Sequence, residues 1–127
     1  MKVLAIADSD SYIKWGASVL ERMPADWQRS IVVIATPAAP SAGQLASALA
    51  GTSFAPQSVP LLLLSDLADR VAVERPDVVL LSVRGPVVRV LIRTIVGAVR
   101  TRPVIVSGLP GISIPASRKA LYYRAQV

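Results

Sequence analysis

Pro76-Asp77-Val78-Val79-Leu80-Leu81-Ser82-Val83-Arg84-Gly85-Pro86 decides the fold of this chain. Pro76 breaks whatever precedes it. Val78–Val83 is then a mostly apolar run of strand length, rich in β-branched residues. A strand with one wet face alternates apolar and polar residues; this one does not, so both of its faces require cover. Arg84-Gly85-Pro86 turns the chain into a helix over Val87–Arg100, with Val88, Leu91, Ile92, Ile95, Val96 and Val99 on its apolar side.

The same strand-then-helix unit recurs on either side. Upstream, Asp66–Glu74 reads as a helix capped by Ser65 or Asp66. Downstream, Pro103–Ser107 is a strand, Gly108-Leu109-Pro110-Gly111 a glycine-rich turn, and Pro115 fits the first position of a last helix, roughly Ala116–Gln126. At the other end, Lys2–Ala7 is a buried strand and Asp8-Ser9-Asp10-Ser11 a polar turn with cap residues. Tyr12–Met23 follows as a helix with Ile13, Ala17 and Leu20 inward, and Pro24-Ala25-Asp26 ends it. Ile31–Ala35 is a strand, Thr36–Pro40 a loop, and Ser41 caps a helix over Ala42–Leu49 that Gly51 stops. Thr52–Val59 is loop with a short strand expected near Val59, and Pro60–Leu64 is open between strand and loop. Strands alternating with helices imply right-handed crossovers. The expectation is one Rossmann-like α/β domain over residues 1–127: an open, mostly parallel sheet of about five strands with helices on both faces. The chain stops at Val127 without glycine, proline or a polar tail. That end, inside or just after a helix, looks like a truncation, although an isolated domain could also end there.

Composition removes whole classes of chemistry. The chain has no cysteine and no histidine. Disulfides, thiolate nucleophiles, Ser-His-Asp triads, His-ligated zinc and a histidine base are excluded within it. Mean hydropathy is positive, yet no run approaches the ~18 uncharged residues a membrane span requires. The N-terminal apolar run is too short for a signal peptide and reads as a strand, so the cytoplasm is the default location. Net charge is +6, and no acidic residue follows Asp77, whereas Arg84, Arg89, Arg93, Arg100, Arg102, Arg118, Lys119 and Arg124 do. That asymmetry points to an anionic partner, or to a separate acidic domain that balances it. Arg89, Arg93 and Arg100 lie near one helix face; a solvated outer helix is the preferred reading, with an anionic membrane surface as the alternative. The sequence pI is near 10.5, but no helix-turn-helix, zinc-finger or RNP-type aromatic motif accompanies it, so nucleic acid is not the expected partner.

In open parallel sheets ligands bind at the carboxyl ends of the strands. The loops there are Asp8–Ser11, Thr36–Pro40, the region of Ser65, Arg84–Pro86 and Gly108–Gly111. Asp8 and Asp10 flank Ser9 at a helix start; such acids serve as a general base or hold a divalent metal, and equally serve as helix caps. Arg84 suits a phosphate or carboxylate, and Gly85 lets backbone approach it at a helix N-terminus. Gly108, Pro110 and Gly111 form either a close-approach loop or a tight connection. Arg118 and Arg124, with Tyr122 and Tyr123, suit an anion or a ring. No dinucleotide fingerprint and no P-loop is present.

Two resemblances follow from these residues. The segment Pro76–Pro86, with Asp8 and Asp10, resembles a response-regulator receiver around its phosphorylated aspartate, but Ser82 stands where that aspartate belongs, so no acyl phosphate can form. Val3–Gly16, Val79–Val90 and Pro103–Arg124 together resemble the amino-terminal part of a bacterial family described as putative glycosyltransferases, longer proteins similar to the two-Rossmann-domain GT-B architecture. The Ala- and Arg-rich, Lys-poor usage also suits a bacterium with GC-rich DNA. The resemblance implies sugar transfer from a nucleotide-sugar donor to a glycan or anionic acceptor, with no required metal or cofactor. It implies that this domain shapes the acceptor side while a carboxyl-terminal domain, lacking here, holds the donor. The isolated chain would then be inactive. By the same analogy Asp8 or Asp10 is the base, Arg84 and the Gly108–Gly111 loop border the cleft, and Arg118 meets an acidic group. The competing expectation is a non-catalytic, receiver-like or nucleotide- and anion-binding module. It predicts a well-behaved monomer, where the transferase half predicts an exposed partner face.

Overall fold

The computed structural model describes residues 1–108, Tyr122 and Ala125. Its elements follow the order β1 (Lys2–Ala7), α1 (Asp10–Glu21), β2 (Gln28–Ile34), α2 (Ala42–Leu49), β3 (Leu61–Leu62), α3 (Leu64–Glu74), β4 (Val78–Ser82), α4 (Gly85–Ala98) and β5 (Val104–Ser107), with a short 3-10 helix at Pro56–Ser58. The strands form one sheet in the order β3-β2-β1-β4-β5, and every pairing is parallel. This is the Rossmann-like arrangement the alternation predicts.

The unbroken apolar strands now have their physical reason. Along β1, Val3, Ala5 and Ala7 face a layer made by α1 and α2, where Ile13, Ala17, Leu20 and Leu49 meet Ile31 and Val33 of β2. Leu4 and Ile6 face the opposite layer, where Leu67 and Val71 of α3 and Val88, Leu91 and Ile95 of α4 cover Val79 and Leu81. Both faces of β1 and of the paired parts of β2 and β4 are dry, so no polar alternation survives there. Small residues bring α1 close to the sheet. A Cβ on Gly16 would sit 3.4 Å from Ser82, and the buried Ser82 hydroxyl donates to the Tyr12 carbonyl at 2.5 Å.

Several boundaries differ from the sequence expectation. Helix α1 starts at Asp10 rather than Tyr12, with Ser9 as its cap residue, and α4 starts at Gly85, so Arg84 is the cap and Gly85-Pro86 is already helix. Helix α4 ends at Ala98, which leaves Arg100 beyond it. Helix α3 begins after Leu63, not at Ser65 or Asp66. The Asp66 carboxylate instead reaches back to the Leu63 N–H at 3.4 Å. The short strand lies at Leu61–Leu62, not near Val59. Its ladder is brief, with Val33 N–H on Pro60 and Ala35 N–H on Leu62. The α2 expectation holds residue for residue: Ser41 and Gln44 form a reciprocal capping box, and Gly51 adopts φ +77° beyond the helix. The expected last helix lies outside the described residues, apart from Tyr122, which is helical, and Ala125. Among the described residues no helix is long and apolar enough to cross a membrane.

Gly108 ends β5 at a point of close approach. A Cβ there would fall 1.9 Å from the Trp15 ring, so Gly108→Ala is expected to lower stability by about 1–3 kcal/mol through overpacking. Urea unfolding checks this, and Trp15→Leu in the same chain should return part of the loss. A second tether holds the segment after α2: the Ser53 amide donates to Glu21 at 2.9 Å, and the Ser53 hydroxyl donates to the same oxygen. These two bonds hold the Glu21 carboxyl below the ordinary glutamate range, with Arg29 adding to the effect. A depressed value means the tether is complete above the ordinary range and is lost as pH falls through the folded value. A carboxyl NMR titration should place the Glu21 midpoint low in the wild type and move it up in Ser53→Ala; an unmoved midpoint would contradict the tether.

Candidate functional site

The strand order reverses direction at β1 and β4, which are neighbours in space although α1, β2, α2, β3 and α3 separate them in sequence. A crevice outside the carboxyl ends of two such strands is the expected ligand position in this architecture. Asp8 follows β1 there, and Arg84 follows β4. The register Ala7↔Ser82 puts them side by side across 76 positions of sequence.

The Asp8 carboxylate is fully buried and Arg84 is about half exposed. Asp8 Oδ2 accepts from Arg84 Nε at 2.8 Å and from the Arg84 backbone N–H at 3.3 Å. Thr36, on the loop after β2, closes the set. Its hydroxyl donates to the Asp8 carbonyl at 3.5 Å, accepts from Arg84 Nη2 at 3.5 Å, and accepts from the Ala38 N–H at 3.2 Å. Three loops from three strands thus meet through Asp8, Arg84 and Thr36. Asp8 Oδ1 is buried and has no hydrogen-bond partner among the described residues. The pairing leaves the outer part of the guanidinium towards solvent, with the N-terminus of α4 beside it, and both favour negative charge.

The two aspartates are therefore not equivalent. Asp8 is sealed against Arg84. Asp10 is exposed in the first turn of α1, where its Oδ1 accepts from the Ser11 N–H at 2.8 Å. Ser9, between them, has extended backbone and its side chain makes no capping bond. Gly85 is buried at the start of α4. Gly108 lies against Trp15, which gives its missing side chain a packing reason. Pro110, Gly111 and Arg118 lie outside the described residues. Thr36 is the residue that sequence reasoning passed over; its one signal was its place directly after a buried strand. Ser82, the receiver-like position, has its hydroxyl committed to the Tyr12 carbonyl, which speaks against a phosphoryl-accepting module.

Two further hollows occur among the described residues. One of about 480 Å³ runs between α1 and α2, lined by Asp10, Ser11, Lys14, Gly43, Gln44 and Ser47 among others. The other, about 260 Å³, lies at the amino ends of the strands near Lys2, Arg29 and Pro76, away from every loop discussed above. Among the described residues no group of three acidic side chains gathers to hold a metal ion.

A family model described as "Putative glycosyltransferase (DUF6716)" matches residues 3–127. No curated protein and no solved structure matches the chain.

The Asp8–Arg84 pair makes its own prediction. Removing Arg84 strands a buried carboxylate, so Arg84→Ala should cost about 1–3 kcal/mol, less than the ~3–5 kcal/mol of a fully buried pair because Arg84 is half in solvent. In a double-mutant cycle with Asp8→Asn the losses should be markedly less than additive in thermal or urea unfolding. Additive losses would mean that the pair carries no coupling.

Proposed function

Because the chain belongs to the DUF6716 family of putative glycosyltransferases, we propose that it forms the acceptor-side half of a two-domain, GT-B-type enzyme that uses a nucleotide-sugar donor. The observation that carries this reading is the family match, which spans residues 3–127. The crevice at the carboxyl ends of β1 and β4 gives the transfer a place, with Ser9, Arg84, Gly85 and Gly108 at its border. Pro110, Gly111 and Arg118 complete that border in the same reading.

The two aspartates divide the work. Asp10 is exposed and anchored through one oxygen, so it is the acid positioned to accept a proton from an acceptor hydroxyl. The acceptor oxygen attacks the anomeric carbon of the donor. The bond from that carbon to the diphosphate oxygen breaks, and the nucleoside diphosphate leaves with the electron pair. Asp8 is buried and paired, so it acts by positioning Arg84. The half-exposed guanidinium then offers its outer N–H groups to negative charge at the cleft, on the acceptor or on the departing diphosphate. The donor is held by a second domain, and no step in this scheme needs a metal.

Calorimetric titration of the 127-residue chain with a panel of nucleotide sugars is expected to give no heat of binding, and the chain alone no transfer. Protein that includes the donor half should bind and turn over. There Asp10→Asn should lower kcat by about 10²–10⁴-fold with little change in KM. Tight nucleotide binding by the chain itself would place the donor site here and sink the division of labour. Full activity of the Asp10→Asn enzyme would remove Asp10 as base.

A further inference from the structure

The groove between α1 and α2 has a composition that folding alone does not ask for. At about 480 Å³ it falls within the ~300–1,000 Å³ range of small-molecule sites. Its α1 wall carries Asp10 and Lys14, one helical turn apart and so on one face. An acid followed four residues later by a lysine ordinarily forms an ion pair along a helix. Here the two do not pair: among the described residues the ion pairs are Arg70–Glu74 and Arg84–Asp8. Asp10 turns one oxygen to the Ser11 N–H, and the Lys14 side chain is exposed.

The opposite wall is kept open by small residues. Gly43 lies in the first turn of α2, where an added Cβ would meet nothing within 4 Å. Neither packing nor a positive φ calls for glycine there, and glycine weakens a helix relative to alanine. What Gly43 supplies is room, and Ser47 one turn further keeps that room polar. Gln44 has its side-chain oxygen tied to the Ser41 N–H at 2.9 Å, which leaves its NH₂ group to donate at the groove wall.

We propose that this groove binds a hydroxylated ring bearing an anionic group, a sugar acid or a sugar phosphate, with Lys14 on the anion and Asp10 on a hydroxyl. A neutral sugar would leave the lysine unused, and a bare anion would be repelled by the carboxylate. The inference deepens the acceptor-side reading and rests on it for the fate of the bound sugar, since it brings a hydroxyl to the proposed base. Its binding claim stands on the groove alone.

Titrating the chain with glucuronate, glucose 6-phosphate, glucose and inorganic phosphate, followed by amide chemical shifts, tests it. Both anionic sugars, or one of them, should move the Lys14, Gly43 and Ser47 amides, and which one does so identifies the anion. Lys14→Gln should weaken that binding about tenfold, the loss of one charge-assisted bond. Gly43→Leu should abolish binding while thermal unfolding stays level or rises, because the new side chain enters open space. No shift with either anionic sugar would overturn the proposal, as would equal shifts with inorganic phosphate or glucose, or binding unaffected by both variants. Confirmed binding by an enzyme that transfers no sugar would refute the transferase reading and leave this site standing.

Discussion

From Val3 to Asp8 every residue of the chain is essentially sealed from water, and the rest of the molecule is arranged around that constraint. A strand buried on both faces and both edges can carry only apolar side chains along its length. At its last covered position it carries Asp8 instead. A buried carboxylate is costly unless it is paired, and its pair, Arg84, comes from the far side of the switch point. The apolar segment fixes where the layers meet, and the carboxylate fixes which loops meet. One hydroxyl, Thr36, then brings in the loop after β2. The meeting of these three loops is an outcome of how the central strand ends.

That arrangement separates two tasks which the sequence shows as one motif. Asp8-Ser9-Asp10 places two acids two positions apart at the junction of strand and helix. The strand's geometry sends the first inward and the helix start leaves the second in solvent. The buried acid holds the Arg84 guanidinium in place, and the exposed one accepts locally, from the Ser11 N–H. A strand-to-helix junction thus supplies a buried, paired carboxylate and a solvent-exposed one within three residues.

Much of this was legible in the sequence where local chemistry dictates structure. The bounds of β1 follow from an apolar run that ends in aspartate. Those of α2 follow from Ser41, Gln44 and Gly51, each of which works through neighbours a few residues away. What escaped is what depends on distant partners or on several competing local signals. Ser65 and Asp66 both look like caps, but a carboxylate two positions inside the helix satisfies the Leu63 N–H instead, and the helix starts earlier. A two-residue edge strand such as β3 has no periodicity to read. Asp8 and Arg84 each drew attention alone, yet their pairing needs the β1–β4 register. Gly108 is recognisable as a point of close approach, while the Trp15 ring it approaches lies 93 positions earlier and leaves no trace in the local sequence.

The central place of the first strand also bears on how the protein is made. β1 leaves the ribosome before both of its neighbours in the sheet, which arrive at very different times. β2 begins at Gln28, whereas β4 begins only at Val78. At ~5–20 residues per second, the stretch from the end of β2 to the start of β4 takes about 2–9 s to synthesise. Through that interval the central, fully buried strand has one edge and one face without their native partners, and Asp8 lacks its counter-ion. A nascent chain in that state is a natural client for a holdase at the exit tunnel, and synonymous codons that slow the Leu61–Asp77 segment would lengthen its exposure.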